Sequence, residues 1–362
     1  MTDSPSASAR IHGFDIARSL AICGMLVVHS VLVLGPPTER LSGLDRFVFN
    51  LCDGRAAATF VLLAGLGVGQ LLARTEDSSH RRVLWRRAAF LGTLGVLNLV
   101  IWPGDILRLY GVALLAAPLL HRGSSRALTL LIAVLVLGFP VAAAFIDWDA
   151  RWEWATLTYR GLWTPSGFVS NLVIDGFRPL IPWLAFFVLG LRLSRLDWRD
   201  GGTARRMLLT GGVLLLVAEL ASMALIQLAG RSSLASSLGP QGIAAILGTH
   251  SMPPMPQFIL SAFGFAGLVI GVGFVLAEHL PAHARNALVS TGRLALTWYV
   301  SHILLLVGLA VTGFHNRLAA KSAIMLAVAG FAAMVAISHA RDGAPMLLER
   351  MLRGQSNRAT PR

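Results

Sequence analysis

The chain of 362 residues is 55% hydrophobic and only 14% charged, with a mean hydropathy of +0.67. Soluble globular domains carry about a quarter charged residues, so this composition excludes an ordinary water-soluble protein. The formal net charge of +13 would suit a nucleic-acid-binding protein, but the basic residues lie mostly in short loops between apolar segments. That distribution is typical of a membrane protein, and we expect no nucleic-acid partner.

Ten apolar segments follow one another along the chain, and most are long enough to cross a hydrocarbon core of about 30 Å. They are 14–34, 47–73, 84–102, 105–120, 126–146, 168–191, 207–229, 256–277, 287–312 and 318–340. Each span in lipid must satisfy its own backbone hydrogen bonds, which favours helices. The sequence therefore predicts an all-α fold, a polytopic integral membrane bundle of about ten transmembrane helices.

The basic residues also predict the orientation, because lysine and arginine collect on the cytoplasmic side of a membrane. Alternate loops and the two chain ends hold 20 of the 31 basic residues, against 7 in the remaining loops. We expect both termini in the cytoplasm and an even number of spans. Residues 1–13 then form a cytoplasmic tail, 14–340 the acyltransferase-like transmembrane domain introduced below, and 341–362 a basic cytoplasmic tail.

Nine ionisable side chains remain inside the predicted spans or at their ends. An isolated charge near the bilayer centre costs on the order of 3 kcal/mol, so these residues need partners. Three pairs have the acid three residues before the arginine, a spacing that predicts an ion pair on one helix face. The pairs are Asp15/Arg18, Asp105/Arg108 and Asp175/Arg178, and the other residues are Asp53, Arg55 and Glu219.

Several of these charges lie at a similar predicted depth. If the first span runs outward, His29 lies in its outer third, near the outer ends of three other spans that carry charges. Arg18 and His29 are separated by about three turns plus 20°, and about 16 Å of rise, on one helix face. A histidine oriented by a carboxylate such as Asp53 can act as a general base. The candidate site comprises catalytic His29, Asp53 and Asp105, and binding Arg18, Arg55 and Arg108.

Several motifs resemble known membrane families. The first helix carries Phe14-Asp15-Ile16-Ala17-Arg18 and then His29, which resembles the arginine, ten residues, histidine signature of the membrane acyltransferase 3 family. The same stretch resembles the opening helix of the heparan-α-glucosaminide N-acetyltransferase catalytic domain. Further pieces resemble, in order, the YeiB-like bacterial membrane proteins, the domain of unknown function 418 family. They include Cys52-Asp53-Gly54-Arg55, Trp102-Pro103-Gly104-Asp105-Ile106-Leu107 and Arg178-Pro179-Leu180-Ile181-Pro182-Trp183.

These resemblances imply a multi-pass protein of the bacterial plasma membrane that moves an acyl group, acetyl in the first instance, from cytosolic acyl-CoA. The acceptor is expected to be a glycan, a lipid or a small molecule at the membrane, with lipids as neighbours and no metal. His29 is then the catalytic base, and Arg18 contacts the donor's phosphates or pantetheine arm. The glucosaminide acetyltransferases place their histidine in the following loop, but 35–45 contains none in this chain. The oligomeric state stays open.

The same buried charges also suit a transporter or a lipid flippase. In that interpretation the ionisable side chains within the spans, Glu219 and His302 included, act as proton relays or as counter-ions for a substrate. No internal repeat is evident in the sequence, which counts mildly against this second function.

Overall fold

The computed structural model describes residues 11–74, 78–154 and 156–354. Apart from one short hairpin, the regular secondary structure of these ranges is helical, which confirms the predicted all-α membrane bundle. The helices are α1 (His12–Leu34), α2 (Gly43–Cys52), α3 (Arg55–Leu72), α4 (Ser78–Leu99), α5 (Leu107–Arg122), α6 (Ser125–Ala143), α7 (Pro165–Ser170), α8 (Leu180–Leu193), α9 (Gly201–Gly230), α10 (Leu234–Leu247), α11 (Pro256–His279), α12 (Ala282–Arg293), α13 (Ala295–Leu309), α14 (Ala320–Ala340) and α15 (Leu347–Arg353). The hairpin pairs β1 (Trp152–Glu153) with β2 (Thr158–Tyr159) in antiparallel register, and shorter 3₁₀ or π-helical turns span Thr38–Arg40, Asn171–Asp175 and Ala310–Phe314.

Seven spans within the described ranges are long and apolar enough to cross a membrane. They are α1, α2 with α3, α6, α9, α11, α13 with its π-helical end, and α14. The pair of α7 and α8 makes an eighth if the two helices are counted as one span. The predicted segments 84–102 and 105–120 lie on α4 and α5, but α4 carries four arginines in its first half and α5 has only 16 residues. The count of ten and the cytoplasmic placement of both termini stay predictions.

The predicted span 168–191 is not one continuous helix, because the chain bends by 52° between α7 and α8. The break extends from Gly176, whose backbone is extended, to Pro179, the N-cap of α8. Proline disfavours helical backbone at the residue before it, Arg178. Asp175 therefore shares no helix face with Arg178, and it accepts hydrogen bonds at 2.8 Å from Tyr159 of β2 and from Ser170. The predicted Asp175/Arg178 ion pair is wrong.

Glycines allow the central helices to approach closely. A Cβ added at Gly190 of α8 would meet the backbone of α3 at Leu62 and Gly65, and one added at Gly264 of α11 would meet the backbone of α9. Small residues at such crossings are typical of membrane bundles, where close packing replaces the hydrophobic effect between helices. Most of α1 and α3 is buried, whereas α6, α9 and α14 expose large apolar side chains on their outer faces.

Candidate functional site

Two histidines meet inside the bundle. His29 lies in the last third of α1 and His302 in the middle of α13, and both side chains are buried. Nδ1 of His29 and Nε2 of His302 are 2.8 Å apart. The ring planes differ by 8° and the ring centroids are 5.1 Å apart, as expected for two imidazoles joined edge to edge through one hydrogen bond.

The partners of these rings decide which nitrogen carries each proton. Nδ1 of His302 lies 2.8 Å from the backbone carbonyl oxygen of Trp298, which can only accept, so this nitrogen carries a hydrogen. Nε2 of the neutral His302 ring is then an acceptor, and His29 donates to it from Nδ1. The lone pair on Nε2 of His29 stays free, since no described residue hydrogen-bonds to it. A free imidazole nitrogen of this kind is what a general base requires.

An aromatic ring and a buried arginine lie near His29. The ring of Trp102, from the turn between α4 and α5, packs edge to face on His29 with centroids 4.9 Å apart. Arg178, which follows the bend after α7, interacts electrostatically with both His29 and Asp53. Its guanidinium lies over the ring of Trp183, 4.7 Å from the centroid. Asp53 is therefore linked to His29 through Arg178, and the described contacts include no hydrogen bond between Asp53 and His29.

Asp105 lies in a second polar group beside the histidines. It accepts hydrogen bonds from Nδ2 of Asn98 at 2.9 Å and from the backbone N–H of Arg108 at 3.1 Å. Nε of Arg108 is 3.6 Å from the Asp105 carboxylate, which confirms the ion pair that the spacing predicts. The backbone N–H next to Asp105 donates to the hydroxyl of Tyr299, whose ring centroid is 5.8 Å from that of His302. Tyr299 thus connects Asp105 to the histidine pair.

Several buried donors around this region have no hydrogen-bond partner within the described part of the chain. They are Nε and Nη1 of Arg108, Nε1 of Trp102 and the hydroxyl of Tyr110. Leaving such a group unsatisfied costs about 1–3 kcal/mol, so it marks a place where a ligand or water completes the bonding. Guanidinium and indole N–H groups can only donate. The missing partner of Arg108 and Trp102 is therefore an acceptor, such as a carbonyl oxygen or an oxyanion.

Arg18 lies on the approach to this region. Nη1 of Arg18 is 2.7 Å from Oδ1 of Asp15, which confirms the predicted pair on α1. The guanidinium extends beside Gly67 of α3 and interacts electrostatically with Tyr110 of α5. Tyr110 in turn interacts electrostatically with Tyr299. Arg18 therefore lies among α1, α3 and α5, in an ion pair that is separate from the histidine pair.

Arg55 belongs to a different cluster, between α3, α9 and α11. Nη2 of Arg55 is 2.5 Å from the Glu219 carboxylate, and Nε donates to the Ser261 hydroxyl at 2.7 Å. Glu219 also accepts hydrogen bonds from Ser261 at 2.6 Å and from Thr249 at 2.9 Å. Arg55 donates in addition to the backbone carbonyl of Asn50. The structure thus brings Asp105 and Arg108 beside the histidine pair, places Asp53 within electrostatic range of Arg178, and places Arg18 and Arg55 in separate ion pairs.

Sequence reasoning left several residues of the region outside the candidate site. It singled out His302 and Arg178 only as charges within spans, and Trp102 only as part of a motif. Tyr299 and Asn98 carried no signal of their own. The spacing of Trp298, Tyr299 and His302 places polar atoms on one face of an apolar helix, and that pattern could have pointed to α13.

The fold and the site define a multi-pass membrane protein with a hydrogen-bonded histidine pair buried in its helical bundle. Residues 10–239 match the catalytic domain of heparan-alpha-glucosaminide N-acetyltransferase, and the chain belongs to this family of membrane acetyltransferases. The matched range contains His29, Asp53 and Asp105, whereas His302 follows it. No match was found among curated proteins, and none among solved structures. The described residues contain no group of three or more metal-ligand side chains.

Proposed function

We propose that the chain is an acyltransferase of the bacterial plasma membrane, of the YeiB-like branch, which takes an acyl group from cytosolic acyl-CoA. The acyl group is acetyl in the first instance, and the acceptor is a hydroxyl or amine of a glycan, a lipid or a small molecule. Membership of the acetyltransferase family supports the reaction class. The observation that carries the proposal is the hydrogen-bond chain from Trp298 through His302 to His29, which leaves Nε2 of His29 free.

The reaction we propose is a direct transfer. The acceptor oxygen or nitrogen attacks the carbonyl carbon of the thioester while Nε2 of His29 takes the acceptor's proton. A C–O or C–N bond forms, the C–S bond breaks, and its electron pair goes to the sulfur of CoA. The thiolate then receives the proton from the His29 imidazolium. Nδ1–H of His29 stays hydrogen-bonded to His302 throughout and holds the ring in position.

The unpartnered donors supply the electrostatic part of this mechanism. Nη1 of Arg108 and the indole N–H of Trp102 are free to stabilise the oxyanion that forms at the thioester carbonyl. Asp105 pairs with Arg108, and Asp53 interacts with Arg178, so each predicted carboxylate holds an arginine. Their proposed role is therefore to position these cations and balance their charge, and His302 takes the orienting role that the sequence assigned to Asp53.

Arg18 and the chain ends complete the proposal. Arg18 lies between Asp15 and Tyr110 with 24% of its side chain exposed, which suits a contact to the pantetheine arm of the donor. The proposal keeps the transmembrane domain at residues 14–340, and the end of α14 at Ala340 supports its second boundary. Residues 1–13 and 341–362 are then cytoplasmic, on the side from which acyl-CoA arrives, whereas Arg55 takes no part in the reaction.

The test is an activity assay on purified protein in lipid nanodiscs. Acetyl-CoA with a radiolabelled acetyl group is incubated with a glycan or lipid extract, and both label transfer and free thiol release are measured. His29→Gln is expected to lower the rate by about 100-fold or more, since it removes the general base. The control is His283→Ala, which removes an exposed histidine of α12.

Two results would overturn the proposal. One is a His29→Gln variant that transfers the acyl group as fast as the wild-type protein. The other is an absence of thiol release from any acyl-CoA, together with proton-coupled uptake of a solute into vesicles. That second result would establish the transporter that the sequence left open.

A further inference from the structure

The helix α15 packs against the first turn of α13. Glu349 of α15 is 4% exposed, and its carboxylate accepts hydrogen bonds from the backbone N–H of Thr297 at 2.8 Å and from the Thr297 hydroxyl at 2.6 Å. Thr297 lies in the first turn of α13, where free backbone N–H groups favour a carboxylate. His302 follows on the same helix about 7.5 Å further along the axis. The docked α15 therefore supports the helix that carries His302.

This docking brings arginine side chains together at one end of the bundle. Arg86 of α4 donates to the backbone carbonyl of Arg353 at 2.9 Å, and Arg87 interacts electrostatically with both Arg86 and Arg353. Arg350 precedes Arg353 by three residues, so the two lie on the same side of α15, and Arg350 lines a surface depression together with Arg341. We call these five arginines the basic end.

The basic end has no ion pair within the described ranges. The ion pairs in the described part of the chain use four other arginines, Arg18, Arg55, Arg108 and Arg160. Glu349, the acid of α15, is already engaged with α13. Like charges held side by side repel one another, and an anion that binds among them relieves the repulsion. The planar fork of N–H donors on arginine matches the oxygens of a phosphate group.

A path of close contacts leads from the basic end into the bundle. Little more than one turn beyond Arg87, Gly92 of α4 packs against Gly111 of α5. The residue before it, Tyr110, interacts electrostatically with Arg18. The helix α4, which carries Arg86 and Arg87 of the basic end, is therefore packed directly against α5, the helix that carries Tyr110.

On the basis of the proposed acyltransferase function, we propose that the basic end binds the phosphate groups of the nucleotide part of acyl-CoA. The pantetheine arm then runs past Arg18 and brings the thioester to His29. Three of the arginines, at positions 341, 350 and 353, lie outside the range that matches the acetyltransferase family. Arg86 and Arg87 lie within that range, so the family comparison covers only part of the proposed phosphate site.

The general excess of basic residues on the cytoplasmic side is the simpler explanation of this cluster, and the experiment must separate the two. The test variant combines Arg350→Gln with Arg353→Gln. The control combines Arg205→Gln with Arg206→Gln, which removes the same charge from exposed residues at the start of α9. Each protein is placed in nanodiscs of zwitterionic lipid, and equilibrium binding of CoA and of pantetheine, which lacks the phosphates, is measured.

We expect the Kd for CoA to rise about tenfold or more in the test variant and to stay unchanged in the control, because two charge-assisted contacts to phosphate are lost. The Kd for pantetheine should not change in either variant, which also shows that the test variant still folds. The affinity of the wild-type protein for CoA should fall as the salt concentration rises.

Three results would overturn the site. The first is an unchanged Kd for CoA in the test variant, and the second is an equal loss of CoA affinity in the control. The third is a test variant that no longer binds phosphatidylglycerol vesicles but binds CoA as the wild-type protein does. The last result would assign the basic end to a lipid surface. The measurement needs neither acceptor nor turnover, so it can succeed or fail independently of the transferase assay, and His29→Gln should bind CoA as the wild-type protein does.

Discussion

Replacing His302 by alanine tests the histidine pair directly. The change removes the acceptor of the Nδ1–H of His29 and leaves that buried donor without a partner. The ring then favours the other tautomer, in which Nε2 is protonated and cannot act as a base. An unsatisfied buried donor costs about 1–3 kcal/mol, which corresponds to about 5- to 150-fold in a rate. We therefore expect kcat to fall by about 10- to 100-fold.

A glutamine at the same position provides the matched comparison. Its Oε1 can occupy the place of the accepting Nε2 of His302, so it can still accept the hydrogen bond from His29, although it loses the bond to the Trp298 carbonyl. We expect His302→Gln to keep kcat within about tenfold of the wild-type value. The KM for acyl-CoA should stay the same in both variants, because His302 lies behind the base and does not contact the donor in the proposed mechanism.

The assay is the initial rate of thiol release at saturating acetyl-CoA, recorded across neutral pH, with thermal unfolding as a check on the fold. A general loss of stability would lower the amount of active protein in both variants and would not separate alanine from glutamine. A wild-type kcat in His302→Ala, or equal rates for the two variants, would refute the proposed role of the histidine pair.

Three further predictions concern stability. Gly190→Ala should destabilise the bundle by about 1–3 kcal/mol because its methyl group meets the backbone of α3. The control is Gly138→Ala on α6, which has nothing within 4 Å and should leave the thermal unfolding midpoint unchanged. Equal midpoints for the two variants would contradict the close packing. Arg55→Ala should lower the free energy of unfolding by about 2–3 kcal/mol, less than for a fully buried pair because Glu219 is 37% exposed. Glu219→Gln should lower it less, because the remaining amide oxygen can still accept from Arg55 and Ser261. The reverse order in chemical denaturation would contradict this. Burial, and to a smaller extent the hydrogen bond to the Asp175 carboxylate, raise the pKa of Tyr159. The folded hairpin therefore holds the phenol proton more tightly than the unfolded chain, and its stability should fall as pH rises above about 10. Tryptophan fluorescence titrated through this range should show the loss, and Tyr159→Phe should abolish it.

Local features of the fold were predictable from the sequence. Length and hydropathy placed the predicted apolar segments in helical parts of the chain, because lipid forces each span to satisfy its own backbone, although 168–191 is broken between α7 and α8. Residues three apart on one helix are neighbours whatever surrounds them, and Asp15/Arg18 on α1 are paired as that spacing requires. Asp105 precedes α5, and its carboxylate reaches Arg108 by accepting from a free backbone N–H in the first turn of that helix. The same rule failed at Asp175, because the helical turn ends there, at an extended Gly176, and α8 begins only after Pro179.

The candidate site depends on the order of helices in the bundle, and here the sequence determined much less. It marked His29, Asp53 and Asp105 as polar groups in apolar spans, but it did not pair His29 with His302, which lies 273 residues further along the chain. Only the tertiary structure decided that pairing, the separate position of Arg55 and the docking of α15. The physical reason is that apolar spans in lipid are alike in composition, and helices choose their neighbours by close packing at a few small residues and by buried hydrogen bonds. Neither leaves a periodic signal in the chain.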